Sequence, residues 1–279
     1  MGLYVLAGAK GSPGVTTSAV LLAGIWPGEP ILADLDPAGG DIALRYRDSS
    51  GVPLDPDRGL LSLGAAVRRG VAEVQLSDHV QRIAGGLEVL TGVSSPDQVQ
   101  GLGPTWQHLA RSLRSVPGRD VIADCGRLTP GAATIPVLQS ADAVLMLARP
   151  TLEGLSHLRE LIRGLAELLQ LGGYDAVPVG VALIASYRDS RTPGEVQSIL
   201  DQAGLRASVL GILADDAKAA ASIRTGDARR VRSSLLTRSA AEIRDRLLMV
   251  RRELPSAAGT TVSGTTVSGT MVSGNGRAL

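Results

Sequence analysis

The spacing of its apolar runs constrains this chain's fold more than any other feature. Seven short segments, 3–8 (LYVLAG), 30–34 (PILAD), 87–91 (LEVLT), 120–124 (DVIAD), 142–148 (DAVLMLA), 178–185 (PVGVALIA) and 207–213 (ASVLGIL), are mostly continuous in apolar residues rather than alternating with polar ones. A strand that is apolar at every position must bury both faces, which points to a parallel sheet covered on each side by helices. The intervening stretches predict those helices near 15–25, 60–69, 97–115, 152–170, 194–203 and 235–253. Alternating strands and helices imply an α/β fold, a mostly parallel sheet with helices on both faces. Ligands of such sheets bind at the carboxyl ends of the strands, so the chemistry is expected just after each run.

Composition narrows the class further. The chain has no Phe, two Trp and four Tyr, so a 44% apolar content must pack mainly through aliphatic side chains. A single cysteine, Cys125, excludes an intramolecular disulfide and a cysteine-rich zinc site. His79, His108 and His157 are scattered without metal-ligand spacing. No segment approaches the ~18–20 consecutive apolar residues of a spanning helix, and no signal-peptide pattern opens the chain, so a cytoplasmic protein without a transmembrane segment is expected. The net charge of +1 singles out no partner. From residue 255 the chain reads PSAAGTTVSGTTVSGTMVSGNGRAL, a small-residue repeat that cannot bury enough surface to offset its ordering entropy. One domain over 1–254 and a disordered low-complexity tail over 255–279 are therefore expected.

The first apolar run leads into AKGSPGVTTSAV, a strand, a glycine-rich turn and a helix start. The first amides of such a helix point at phosphate and carry the positive end of its dipole. The phosphate-loop pattern G-x-x-x-x-G-K-[ST] requires glycine, then glycine, lysine and a hydroxyl. Aligned on Gly14 and Thr16, its first glycine is Ala9 and its lysine is Val15. Lys10, one of only two lysines in the chain, sits near the start of the turn. An isopropyl group in place of an ammonium removes a charge-assisted contact worth about 1.5–3 kcal/mol, which weakens nucleotide affinity and transition-state stabilisation together.

Two further runs end in carboxylates. ADLDPAGGDIAL at 33–44 presents Asp34, Asp36 and Asp41, and DVIADCG at 120–126 presents Asp124. Carboxylates at strand tips suit a hydrated Mg²⁺ or the orientation of an attacking water. Cys125 reads as a small packing residue rather than a nucleophile.

Together these segments resemble the ParA/MinD family of deviant Walker A P-loop ATPases. The register Lys10-Gly11-Ser12-Pro13-Gly14-Val15-Thr16-Thr17 matches the family loop K-G-G-x-G-K-T, keeping the signature lysine and losing the second one. G-D-x-A-L after the second run resembles the pilus-associated TadZ/CpaE branch. The resemblance implies a P-loop NTPase-like fold, ATP and Mg²⁺ as cofactors, and a nucleotide-sandwiched homodimer. It implies Lys10 and Asp36 as catalytic residues, 10–17 as the nucleotide-binding loop, and Thr16, Asp34 and Asp124 as metal residues. Many relatives carry an adenine-reading Asn after the sixth strand, whereas VALIASYRDS at 181–190 offers none.

Three functional readings stay open. The first is a nucleotide-dependent positioning or partitioning protein, as in chromosome partitioning or cell division, with slow or lost hydrolysis. The second is a non-hydrolysing scaffold for pilus or secretion machinery or for polar localisation. The third is a non-specific DNA-binding partition factor acting at the nucleoid through Arg224–Glu253, which carries nine Arg against four acidic residues. Leu235, Leu236, Ile243, Leu247, Leu248 and Val250 of that segment also predict a helix packed on the sheet.

Overall fold

The structure, a computed structural model, describes residues 1–11, 13–70, 75–225 and 231–251, with the main chain only for Arg224. The elements run β1 (Leu3–Gly8), α1 (Val15–Ile25), β2 (Ile31–Asp34), α2 (Ile42–Arg45), α3 (Leu60–Arg68), a 3₁₀ turn (Leu76–Asp78), β3 (Gln81–Arg82), β4 (Glu88–Leu90), α4 (Pro96–Leu102) and α5 (Thr105–Arg114). They continue with β5 (Val121–Arg127), α6 (Ile135–Gln139), β6 (Ala143–Ala148), α7 (Leu152–Leu165), β7 (Val179–Ala185), α8 (Thr192–Gln202), β8 (Ser208–Ala214), α9 (Ala217–Thr225) and α10 (Leu235–Val250).

Among the described residues eight strands form one sheet in the order β3-β4-β2-β5-β1-β6-β7-β8, parallel throughout except for β3, which pairs antiparallel with β4 at the edge. The continuous apolar runs are buried on both faces, as their composition requires. Alternate residues of β1 serve opposite layers. Leu3 and Val5 pack with Leu63, Leu109 and Leu161 of α3, α5 and α7, whereas Tyr4 and Leu6 pack with Leu22 of α1 and Ile243 of α10. Helices thus cover both faces, and α1 crosses the sheet centre from the end of β1.

The structure differs from the sequence expectation where elements are short or interrupted. The helix expected over 97–115 is two, α4 and α5, broken at Gly103 (φ 46°) and at Pro104, whose ring nitrogen carries no hydrogen to continue a helix. α7 ends at Leu165 rather than 170. Leu235, expected on the buried face of α10, is 45% exposed. The buried stripe is Leu236, Ala240, Ile243 and Leu247, whose i, i+4, i+7, i+11 spacing leaves Leu235 one residue off its centre. The tail expected over 255–279, together with Ser12 and Arg252–Glu253, lies outside the described residues. Among the described residues no helix is long and apolar enough to cross a membrane.

Candidate functional site

The carboxyl ends of β1, β2 and β5 lie side by side, and the sequence-predicted residues gather there. Leu6 of β1 and Asp34 of β2 are both register partners of Asp124 on β5. Gly14 precedes α1 in the left-handed region (φ 85°), and the helix opens with Val15, Thr16 and Thr17. Ser18 anchors the turn by donating from both its N–H and its hydroxyl to the Gly14 carbonyl, each at 2.9 Å.

A cavity of about 420 Å³ opens at this helix start, lined by Lys10, Gly14, Thr16, Asp36, Arg45 and Arg127 among others. Pro13, Val15 and Thr17 also line it, Gly11 is exposed in the turn beside it, and Ser12 lies outside the described residues. A second cavity of about 260 Å³ shares Pro13, Gly14 and Thr17 with the first and extends along the ends of β7 and β8. Leu21, Ile184 and Leu213 give it an apolar floor, and the Arg149–Asp215 ion pair (2.6 Å) stands at its edge. That pair holds the Asp215 carboxyl below its ordinary range.

Asp34 and Asp124 do not line the larger cavity but lie buried behind it, 1% and 0% exposed. Oδ2 of Asp34 accepts the Ile42 N–H at 3.1 Å, and Oδ1 of Asp124 accepts the Gly126 N–H at 2.9 Å. The remaining oxygens, Asp34 Oδ1 and Asp124 Oδ2, are buried without a hydrogen-bond partner. Burial, reinforced by the neighbouring Asp124 charge, pushes the Asp34 carboxyl up to about 7. Burial likewise pushes Asp124 up to about 6, while the neighbouring Thr16 hydroxyl and the Gly126 N–H pull it back. Thr16 therefore stands between the open cavity and the buried carboxylate pair.

The turns around these carboxylates require glycine. A Cβ on Gly40 would lie 2.5 Å from Asp34 Oδ2, and one on Gly126 would lie 1.9 Å from Asp36 Oδ2. Gly126 also holds a positive φ of 53°, so it meets both constraints. Asp36 is half-buried in the cavity wall; burial raises its pKa, offset by the Ala38 N–H that it accepts at 2.8 Å. Cys125 is buried with its thiol pushed upward by burial, which suits packing rather than nucleophilic chemistry.

The two unpartnered oxygens fit a divalent cation, because two buried carboxylates side by side need a positive charge or a proton to coexist. Among the described residues no three His, Cys, Asp or Glu side chains converge on one metal position. Such an ion would depend on Thr16, one or two of these carboxylates, water and ligand oxygens, the donor set that Mg²⁺ prefers.

Sequence reading missed Arg45, Arg127 and the Arg149–Asp215 pair. The Asp41–Arg45 spacing of four residues is a helical ion-pair signal, and Arg127 follows Asp124 by three residues. Residues 149 and 215 are too distant in sequence to be paired by inspection. In the arginine-rich C-terminal segment, Arg244 and Arg246 donate to the carbonyls of Ile25 (2.6 Å) and Leu210 (2.5 Å). Arg251 lies close to the Tyr4 hydroxyl without a closed hydrogen bond to it. These guanidinium groups are engaged within the fold; the Arg224 side chain, Arg229, Arg230 and Arg252 lie outside the described residues.

No protein-family model matches the sequence, and no curated protein matches it. Solved structures do match. A ParA family ATPase from Chlorobium tepidum is 19% identical, with TM-score 0.63, over 88% of this chain and 98% of that one. The cell division ATPase MinD from Pyrococcus furiosus is 17% identical, with TM-score 0.64, over 90% and 100%. A McdA–ATP complex from Cyanothece is 16% identical, with TM-score 0.65, over 91% and 98%. The fold is thus the P-loop NTPase-like fold of ParA and MinD structures, with its helices and mostly parallel sheet matched over nearly the whole of each relative.

Proposed function

We propose that this chain is a nucleotide-binding switch of the positioning or partitioning kind, which takes ATP with Mg²⁺ and hydrolyses it slowly or not at all. One observation carries the reading. The glycine-started helix α1 faces a cavity while its Thr16 stands beside a buried carboxylate pair with two unsatisfied oxygens. Main-chain amides at the helix start attract phosphate, and the orphaned oxygens fit the cation that accompanies it. Structures of the same fold include a MinD with Mg-ADP and a plasmid partition protein bound to AMPPNP.

In this reading Gly14, Thr16 and Thr17 cradle phosphate with their N–H groups. Thr16, Asp34 and Asp124 would hold Mg²⁺, which would supply positive charge against the phosphate. Asp36, whose raised pKa favours taking up a proton, orients the attacking water. The second cavity, with its apolar floor, receives the base. Lys10, exposed and without an ion-pair partner among the described residues, reaches the phosphates of a second copy in a homodimer. Val15, 6% exposed, leaves the loop without the ammonium that would stabilise transferred charge, so binding outlasts catalysis. Residues 1–254 act as one unit.

The test is Mg²⁺-dependent dimerisation followed by light scattering. ATP should convert monomer to dimer, ADP should not, and an unchanged mass with both nucleotides would remove the switch. A folded protein that neither binds nor dimerises with ATP would leave the scaffold reading standing.

A further inference from the structure

The larger cavity contains more positive charge than its loop supplies. Besides Lys10 it is lined by Arg45 and Arg127, from the segments after β2 and at the end of β5. Both stand beside a loop whose helix begins with a buried valine.

Arg45 is the better placed of the two. Its guanidinium pairs with Asp41 one helical turn earlier, and both residues line the cavity. Their side chains are 35% and 45% exposed, so an anion in the cavity can reach the guanidinium and displace a carboxylate that competes weakly in water. The helix presenting Arg45 is not free to drift: Ile42 is fully buried, and its N–H is bonded to Asp34. Arg47, two residues on, donates instead to the carbonyls of Leu44 (3.1 Å) and Tyr46 (2.9 Å). Arg127 is exposed at the strand end and has no such tether.

We infer that Arg45 supplies the phosphate-binding cation that Val15 removes from the loop, gripping the polyphosphate of a nucleoside di- or triphosphate from α2. The inference rests on the nucleotide-binding reading above. A guanidinium suits the role because its planar fork makes paired bonds to phosphate oxygens, although it lies on a different element from a loop lysine. Asp41 then acts as a holder, keeping the guanidinium at the cavity until phosphate replaces it.

Calorimetric titration of the full chain with Mg-ATP, Mg-ADP and AMP tests this. Arg45→Ala should weaken ATP and ADP binding about ten- to a hundredfold and AMP binding far less. Arg163→Ala, which removes the same charge from an ion pair on α7 that does not line the cavity, should change nothing. Val15→Lys placed in the Arg45→Ala background should recover the lost affinity, which a merely structural defect would not allow. If Arg45→Ala melts at a lower temperature than the parent, Arg45→Gln serves as the closer isostere. Parent-like ATP affinity in a folded Arg45 variant would overturn the assignment and leave the nucleotide reading intact. Absence of binding by the unmodified chain would overturn both.

Discussion

Asp34 and Asp124 are register partners on adjacent strands, both buried and each with one oxygen that no group satisfies. Their carboxyls are raised to about 7 and about 6, well above the 3.8 of an ordinary aspartate. The native state therefore holds protons that the unfolded chain has already released. Native stability from this source is fully present below about pH 4 and is lost as pH rises through 6 to 7.

Without metal or nucleotide, the melting temperature should fall between pH 5 and pH 8. A loss on the order of 2 kcal/mol corresponds to about 4–8 °C for a chain of this size. Asp34→Asn should flatten the profile and melt higher than the parent at pH 8. A parent profile that is flat or rises over this range would show that the pair is not strained.

Gly126→Ala is expected to be costly in two ways. Its Cβ would overlap the Asp36 carboxylate, and its backbone has a positive φ. A destabilisation of about 1–3 kcal/mol should appear in chemical denaturation. Any ATP turnover should fall further than nucleotide affinity, because the carboxylate displaced is the one proposed to orient water.

Val15→Lys should tighten Mg-ATP binding about tenfold and raise phosphate release, since Val15 already lines the cavity and a longer side chain can extend into it. Steady-state phosphate assays alongside titrations check both effects. Tighter binding without added turnover would mean that Asp36 and its neighbours no longer support hydrolysis.

The strands were legible because continuous apolar runs admit few environments other than a two-sided sheet. Asp34 and Asp124 were legible for the same reason, as the first charges after such runs. The two-residue β3 and four-residue α2 carry no period to read, and without α2 the position of Arg45 could not be seen. Gly40 and Gly126 looked like ordinary turn residues. Only the fold shows them pressed against the Asp34 and Asp36 carboxylates. The Arg149–Asp215 pair joins the ends of two strands that become neighbours of a third only in the folded sheet.

Lys10→Ala should leave monomeric nucleotide binding nearly unchanged and weaken ATP-dependent self-association at least tenfold, as expected for a cation acting on the partner's phosphates. Sedimentation at matched ATP saturation separates the two. An equal loss in both would place Lys10 in its own subunit's cradle instead.

The most direct test of the account is calorimetric titration of the full chain with ATP, with and without Mg²⁺. Saturable one-to-one binding is expected, with a Kd below about 1 mM that weakens when Mg²⁺ is withdrawn. No heat of binding at several millimolar ATP, with the chain folded by circular dichroism, would contradict it.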